Sequence, residues 1–199
     1  MSREIVLEYP APPAHARPLA RVRSTIVTSA LAALRERGHF ERYLGAIDAK
    51  SREILLTSVA GTWLPVDLVM RHYTACESLG LSNDECFAMG NAVGARMHQN
   101  VLHLVRSLAT GAGVTPWTAA SRYESFWTRL FDGGGFRIVK VGPKDGLTEF
   151  FQLPIAQFAY FRAAFCGVSQ VGISLFTTKA YVRVVGTSKD GFSVRSSWV

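Results

Sequence analysis

Apolar positions recur at two periods along this chain, and the change from one to the other divides it. From Ser24 to about Leu130 they fall at helical spacing, and from Phe136 onward they alternate in short β-rich runs around one further helix. Ile26, Val27, Ala30, Leu31 and Leu34 form one stripe over Ser24–Arg37, with Ser24 as the expected N-cap and Gly38 placed for a left-handed end. Phe40–Leu44 reads as a second helical stretch, and Leu55–Val59 as helix or strand. Pro65 suits the first turn of a helix carrying Val66, Val69, Tyr73 and Cys76. Leu81-Ser82-Asn83-Asp84-Glu85-Cys86 fits a capping box, with Ser82 as N-cap, Glu85 three residues on, and Leu81 and Cys86 at the staple positions. The helix it starts is expected to reach Leu108 on a stripe of Val93, Met97, Val101, Leu104, Val105 and Leu108. Gly90 and Gly94 within it either admit another helix or mark a kink. Thr115-Pro116 starts one more helix, lined by Trp117, Ala120, Tyr123, Trp127 and Leu130 and ended by Asp132-Gly133-Gly134-Gly135.

The remainder reads strand, strand, helix, strand. Phe136–Val141 and Thr148–Leu153 meet across Gly142-Pro143-Lys144-Asp145-Gly146. An amphipathic helix runs from Ile155 to about Cys166, Lys179–Val185 closes the unit, and Phe192–Trp198 suits a last edge strand. Ahead of the first helix, Glu4–Tyr9 is strand-like, and Pro10-Ala11-Pro12-Pro13 forbids a helix. The fold class expected is therefore α+β: an N-terminal helical layer on a small antiparallel sheet, with residues 1–23 as an arm and 24–199 as a single domain.

Of the 199 residues 48% are hydrophobic, enough for a packed core, yet no apolar run is long enough to cross a bilayer. The N-terminus mixes charges and does not read as a signal peptide, and the three cysteines, Cys76, Cys86 and Cys166, give no disulfide framework. A bacterial cytoplasm is the expected location. The net charge of +7 would attract polyanions, but the 22 lysines and arginines are scattered apart from Arg17, Arg21 and Arg23. Without a basic run interleaved with aromatics, a nucleic-acid partner is not expected, and anion binding by the basic surface is a minor reading.

Candidate chemistry narrows further. His98 and His103 would point about 140° apart on a helix and could not share an ion. His72 and Cys76 share a face, with Cys86 the nearest third donor, which is too few for a metal site, so no metal is expected. Cys166 near a helix C-terminus meets the end that disfavours a thiolate, and Cys86 sits in a staple position, so neither reads as a nucleophile. The Gly133–Gly135 run follows a helix and precedes a strand, the reverse of a phosphate loop. Aromatic residues crowd the C-terminal half. If they enclose an apolar pocket, its expected lining is Trp117, Trp127, Phe150, Phe158 and Phe165; the alternative is that they are simply core.

The order of these elements, Gly61-Thr62-Trp63-Leu64-Pro65, the stop Phe131-Asp132-Gly133-Gly134 and the helix with Phe161-Arg162-x-x-Phe165-x-Gly167 resemble a paralogous family of myxobacterial proteins of about this length. At fold level they are similar to the superfamily that holds haem-nitric-oxide-binding domains, four-vinyl-reductase-type small-molecule-binding domains and TRAPP vesicle-tethering subunits. The resemblance covers about residues 24–185 and implies an α+β fold, dimerisation through helices and sometimes an apolar pocket. The family's haem-binding members carry a proximal histidine on the helix before the sheet and a Tyr-x-Ser-x-Arg motif. Here Pro116–Phe131 has no histidine, and Tyr123-Glu124-Ser125-Phe126-Trp127 has Trp127 in the arginine's place. The resemblance thus implies no cofactor, haem being disfavoured unless His98 or His103 ligates it by another route.

The function expected is that of a non-enzymatic ligand-sensing or protein-interaction domain acting as a homodimer or on another protein, with an apolar small molecule as the ligand. The alternative is a structural assembly subunit with no small ligand. An enzyme would need polar groups such as Arg122, Glu124, Arg162 and His103 to converge.

Overall fold

The computed structural model describes residues 4–99 and 115–199, His98 and Gln99 by their backbone alone. The fold is α+β. Strand β1 (Glu4–Tyr9) and a short 3-10 turn lead to β2 (Arg21–Arg23) and four helices: α1 (Ser24–Glu36), α2 (Phe40–Ala46), α3 (Ala49–Thr57) and, after β3 (Trp63–Pro65), α4 (Val66–Glu77). The long helix α5 (Asn83–Gln99) follows. Past residue 114 come α6 (Pro116–Ala120), α7 (Tyr123–Leu130), β4 (Phe131–Asp132), β5 (Gly135–Gly142) and β6 (Asp145–Phe151). Helix α8 (Ala159–Ser174) then leads to β7 (Ala180–Thr187) and β8 (Phe192–Trp198).

Several ends follow from local chemistry. The capping box forms as its sequence requires: Glu85 Oε2 accepts from the Ser82 amide at 2.8 Å, and Ser82 Oγ accepts from the Glu85 amide at 3.3 Å. Ser24 is not an N-cap. Arg23 takes that position, and the Ser24 hydroxyl, buried, donates to Val59 O at 2.7 Å and accepts from Thr62 N at 3.0 Å, tying α1 to the loop before β3. The helix expected over Pro116–Phe131 breaks at Ser121–Arg122 into α6 and α7. The helix expected to end at Cys166 starts later, after a 3-10 turn over Pro154–Gln157, and runs on to Ser174, so Cys166 is mid-helix. The part of the Leu81–Leu108 helix beyond Gln99 lies outside the described residues.

Five antiparallel strands form the main sheet in the order β1-β5-β6-β8-β7, and β3-β2-β4 form a second, three-stranded sheet. The lead-in from Glu4 is therefore tied into both sheets: β1 pairs with β5, and Arg21 and Val22 pair with Asp132 and Phe131. Register places Phe136 opposite Phe150 and Phe150 opposite Phe192, so three phenylalanines of one row face the helices.

Helix α8 covers that row, and α5 lies against α8 so closely that no side chain fits at two of their crossings. A methyl group at Gly90 would lie 1.8 Å from Ala164 O, and one at Gly167 would lie 2.2 Å from Phe87 O. Glycine at both crossings lets the two backbones touch. Helix α1 packs on the other side of α5, so α5 is the central layer between the N-terminal helices and the α8–sheet unit. No helix among the described residues is long and apolar enough to cross a membrane.

Candidate functional site

Beneath α8 the row of phenylalanines grows into a continuous cluster of rings. Trp127, fully buried on α7, stacks with Phe150 at 5.7 Å between centroids and meets Phe131 at 4.4 Å and Phe136 at 5.4 Å. Phe165 from α8 stands edge-on to Phe150 at 4.9 Å and to Phe192 at 5.5 Å, and Phe161 adds a further edge contact to Phe192 at 5.8 Å. Edge-on and offset rings at these separations are in contact and leave no slot for another molecule between them. Of the five residues expected to line a pocket, the structure brings Trp127, Phe150 and Phe165 together in this cluster. Phe158 is elsewhere, tilted on Tyr73 at 6.2 Å. Trp117 covers the far end of the same sheet face, edge-on to Trp198 at 4.9 Å, with its indole N–H donating to Pro143 O at 2.7 Å.

A buried polar chain joins α2 to α4 and was not expected from sequence. Tyr43 Oη and His72 Nδ1 share a hydrogen bond of 2.9 Å, and His72 Nε2 lies 3.7 Å from Cys76 Sγ. Burial lowers the His72 pKa to about 3, so its imidazole stays neutral, and burial raises the Tyr43, Cys76 and Tyr160 pKa values, so these stay protonated. The spacing of His72 and Cys76 showed a shared helix face, but nothing in α2's sequence announced Tyr43 as the third member. Cys86 is pushed up to about 11 and Cys166 to about 12, each mainly by burial, so no described thiol is activated.

Glu77 closes the helical layer onto α8: its two carboxylate oxygens accept from the backbone amides of Ala159 at 3.1 Å and Tyr160 at 2.7 Å. Arg162 donates to Ala156 O at 2.6 Å and Gln157 O at 2.9 Å, while Arg122 and Glu124 are exposed at the start of α7. Among the described residues no hydrogen bond or ion pair joins these three, and His103 lies outside them. Two open spaces among the described residues are surface clefts. One, of about 570 Å³, is lined by Asp145, Gln170, Tyr181, Arg183 and Arg195; the other, of about 330 Å³, by Tyr9, His15, Arg17, Arg21, Trp63 and Asp132.

No family model matches the sequence, and no curated protein matches it. Solved structures do match. An oxygen-binding H-NOX domain related to soluble guanylate cyclases, in its oxygen complex, superposes with a TM-score of 0.56 at 16% identity, over 88% of this chain and 94% of that one. An Fe(II) unliganded H-NOX protein from K. algicida gives 0.56 at 8% identity, over 89% and 96%. A structure described under modulation of heme redox potential by protein-induced porphyrin distortion gives 0.53 at 13% identity, over 88% and 99%. At these identities the likeness shows the fold: this chain has the fold of H-NOX domains along nearly its whole length.

That finding overturns the expectation of no cofactor, with haem possible but disfavoured: the structures this chain resembles are those of haem proteins. The argument against haem assumed that Pro116–Phe131 is the helix leading into the sheet. It is two short helices, and the long helix upstream is α5, whose backbone carries His98. The ring cluster around Trp127, Phe150 and Phe165 does not fit a porphyrin, since its rings already touch. His72, with both ring nitrogens engaged in the Tyr43–Cys76 chain, does not fit an axial ligand. The C-terminal end of α5 differs: Val93 and Met97 are buried there and His98 follows. The side chain of His98 and all of His103 lie outside the described residues.

Proposed function

We propose that this chain is a ligand-sensing domain, and that haem, held by His98 near the end of α5 or by His103, is its ligand. The observation that carries the reading is the extent of the likeness: 88–89% of this chain against 94–99% of H-NOX chains, a whole-domain match. Bound haem would supply an iron open to a diatomic gas. The contribution of this chain's own residues is transmission. Because Gly90 and Gly167 bring the α5 and α8 backbones into contact, a displacement of α5 is passed to α8 without compressible side chains between them. Phe165 on α8 rests on Phe150 of the sheet, so the displacement reaches β6 and β8. The domain would act as a non-enzymatic module on a second copy or another protein, and its three free, buried cysteines suit a reducing cytoplasm.

The test is an absorption titration of the purified chain with haem, repeated on His98→Ala and His103→Ala. Saturation at one haem per chain, abolished by one of the two substitutions, supports the reading. A second reading, an assembly subunit with no small ligand, draws on the filled ring cluster and on exposed Tyr181 and Val185 along the edge strand β7. It predicts no saturable haem uptake and a mass at a multiple of the subunit.

A further inference from the structure

The three arginines that cluster in the sequence ahead of α1 meet in the fold, and the haem reading leaves them unused. Arg17 and Arg21 both bind one carboxylate, Asp132. Arg17 pairs with Oδ1, and Arg21 places Nε at 2.7 Å and a terminal nitrogen at 2.6 Å from Oδ2. Arg23 sits 4.0 Å above the Trp63 ring, its Nε donating to Arg129 O at 3.1 Å and its NH1 to Gly61 O at 2.6 Å. Those partners are neutral carbonyls, so Arg23 keeps its charge uncompensated. Arg23 does not line the cleft into which Arg17 and Arg21 open, so there two guanidinium charges face one carboxylate, a net excess of one.

The geometry is that of a prepared receptor. Asp132 is largely buried and fixes the two guanidinium groups, which remain 71% and 53% exposed at their side chains and so reachable from solvent. They open onto the cleft of about 330 Å³, whose other walls are Tyr9, Trp63, Phe131 and the backbone of Gly133 and Gly134. That volume exceeds what an isolated oxyanion needs and falls within the range of small-molecule sites. A paired, planar array of guanidinium donors matches phosphate oxygens, and the charge of a phosphomonoester favours both guanidinium groups.

We propose that this cleft binds a small phosphomonoester, its phosphate on Arg17 and Arg21 and its apolar or flat body against Trp63. The proposal does not depend on haem.

The test is calorimetric titration of the full chain with phenyl phosphate, inorganic phosphate and benzyl alcohol, in low salt and again at raised salt. The expected result is one saturable site for phenyl phosphate, tighter than for inorganic phosphate and absent for benzyl alcohol, that weakens as salt is raised. In Arg17→Gln, where only one exposed ion pair is removed, binding should fall about tenfold or more, as loss of a charge-assisted bond does. Trp63→Leu should remove the advantage of phenyl phosphate over inorganic phosphate. Arg183→Gln, at the other large cleft, should change nothing. Absence of saturable heat, equal affinity for both phosphates in the unsubstituted chain, or unchanged binding in Arg17→Gln overturns the proposal.

Discussion

Gly90 of α5 lies directly against the carbonyl oxygen of Ala164 on α8, at a distance that leaves no room for even one methyl group. Nothing flexible stands between the two helices there, because the contact is with backbone. Gly90→Ala is therefore expected to force the pair apart and destabilise the fold by about 2–3 kcal/mol, in the range of overpacking a tight contact. Gly45→Ala in α2, where a methyl would meet nothing within 4 Å, should instead stabilise by about 0.5–1 kcal/mol. Urea denaturation of the two variants beside the unsubstituted chain checks both signs.

The cap that Glu77 places on α8 comes from another helix, so it fastens the helical layer to the sheet unit. Glu77→Gln keeps the shape but removes the charge from the amides of Ala159 and Tyr160. A loss of about 1 kcal/mol is expected from the cap and the helix dipole together. If thermal melting is unchanged in this variant, the cap does not contribute.

Burial holds the His72 pKa at about 3 in the folded chain, below its ordinary value of 6.5. The unfolded chain therefore binds more protons between these limits, and folding stability falls as pH drops from 6.5 toward 3, by up to about 1.4 kcal/mol per pH unit. Above 6.5 the contribution is complete. Asp48, whose pKa the Ser51 amide and hydroxyl hold at about 2, and Glu85, whose pKa the Ser82 amide lowers, add their own losses only at lower pH, so the interval from 6.5 to 5.5 isolates the histidine. His72→Gln should flatten the urea midpoint over that interval; a midpoint already flat in the unsubstituted chain would show that His72 is not the group in control.

Phe150 sits at the centre of the ring cluster, touching Trp127, Phe165 and Phe192. Phe150→Ala is expected to cost about 3–5 kcal/mol and to leave an apolar void. Such a void should take up benzene, seen as a rise in melting temperature when benzene is added to the variant and not to the unsubstituted chain.

Much of this architecture is written in local patterns. Ser82 and Glu85 announce the start of α5 because a capping box is built from neighbours in sequence, and the alternation in Phe136–Val141 and Thr148–Leu153 fixes the hairpin. Gly90 signals a close approach, but its partner, the backbone beside Ala164, is 74 residues away and carries no sign of it. Ser24 misleads for the same reason: its hydroxyl goes to Val59 and Thr62, which no local rule connects to it. The site is less legible than the fold. An aromatic count cannot separate rings that meet, such as Trp127, Phe150 and Phe165, from Trp117, which is drawn to the carbonyl of Pro143 at the far end of the sheet. The break at Ser121–Arg122 likewise has no glycine or proline to mark it.

The measurement that bears most directly on the sensing reading is the haem titration followed by absorption, on the unsubstituted chain, His98→Ala and His103→Ala. A single saturating transition at one haem per chain, lost in one variant and kept in the other, is the predicted result. A spectrum that never departs from free haem, or uptake that both variants share equally with the unsubstituted chain, would contradict it.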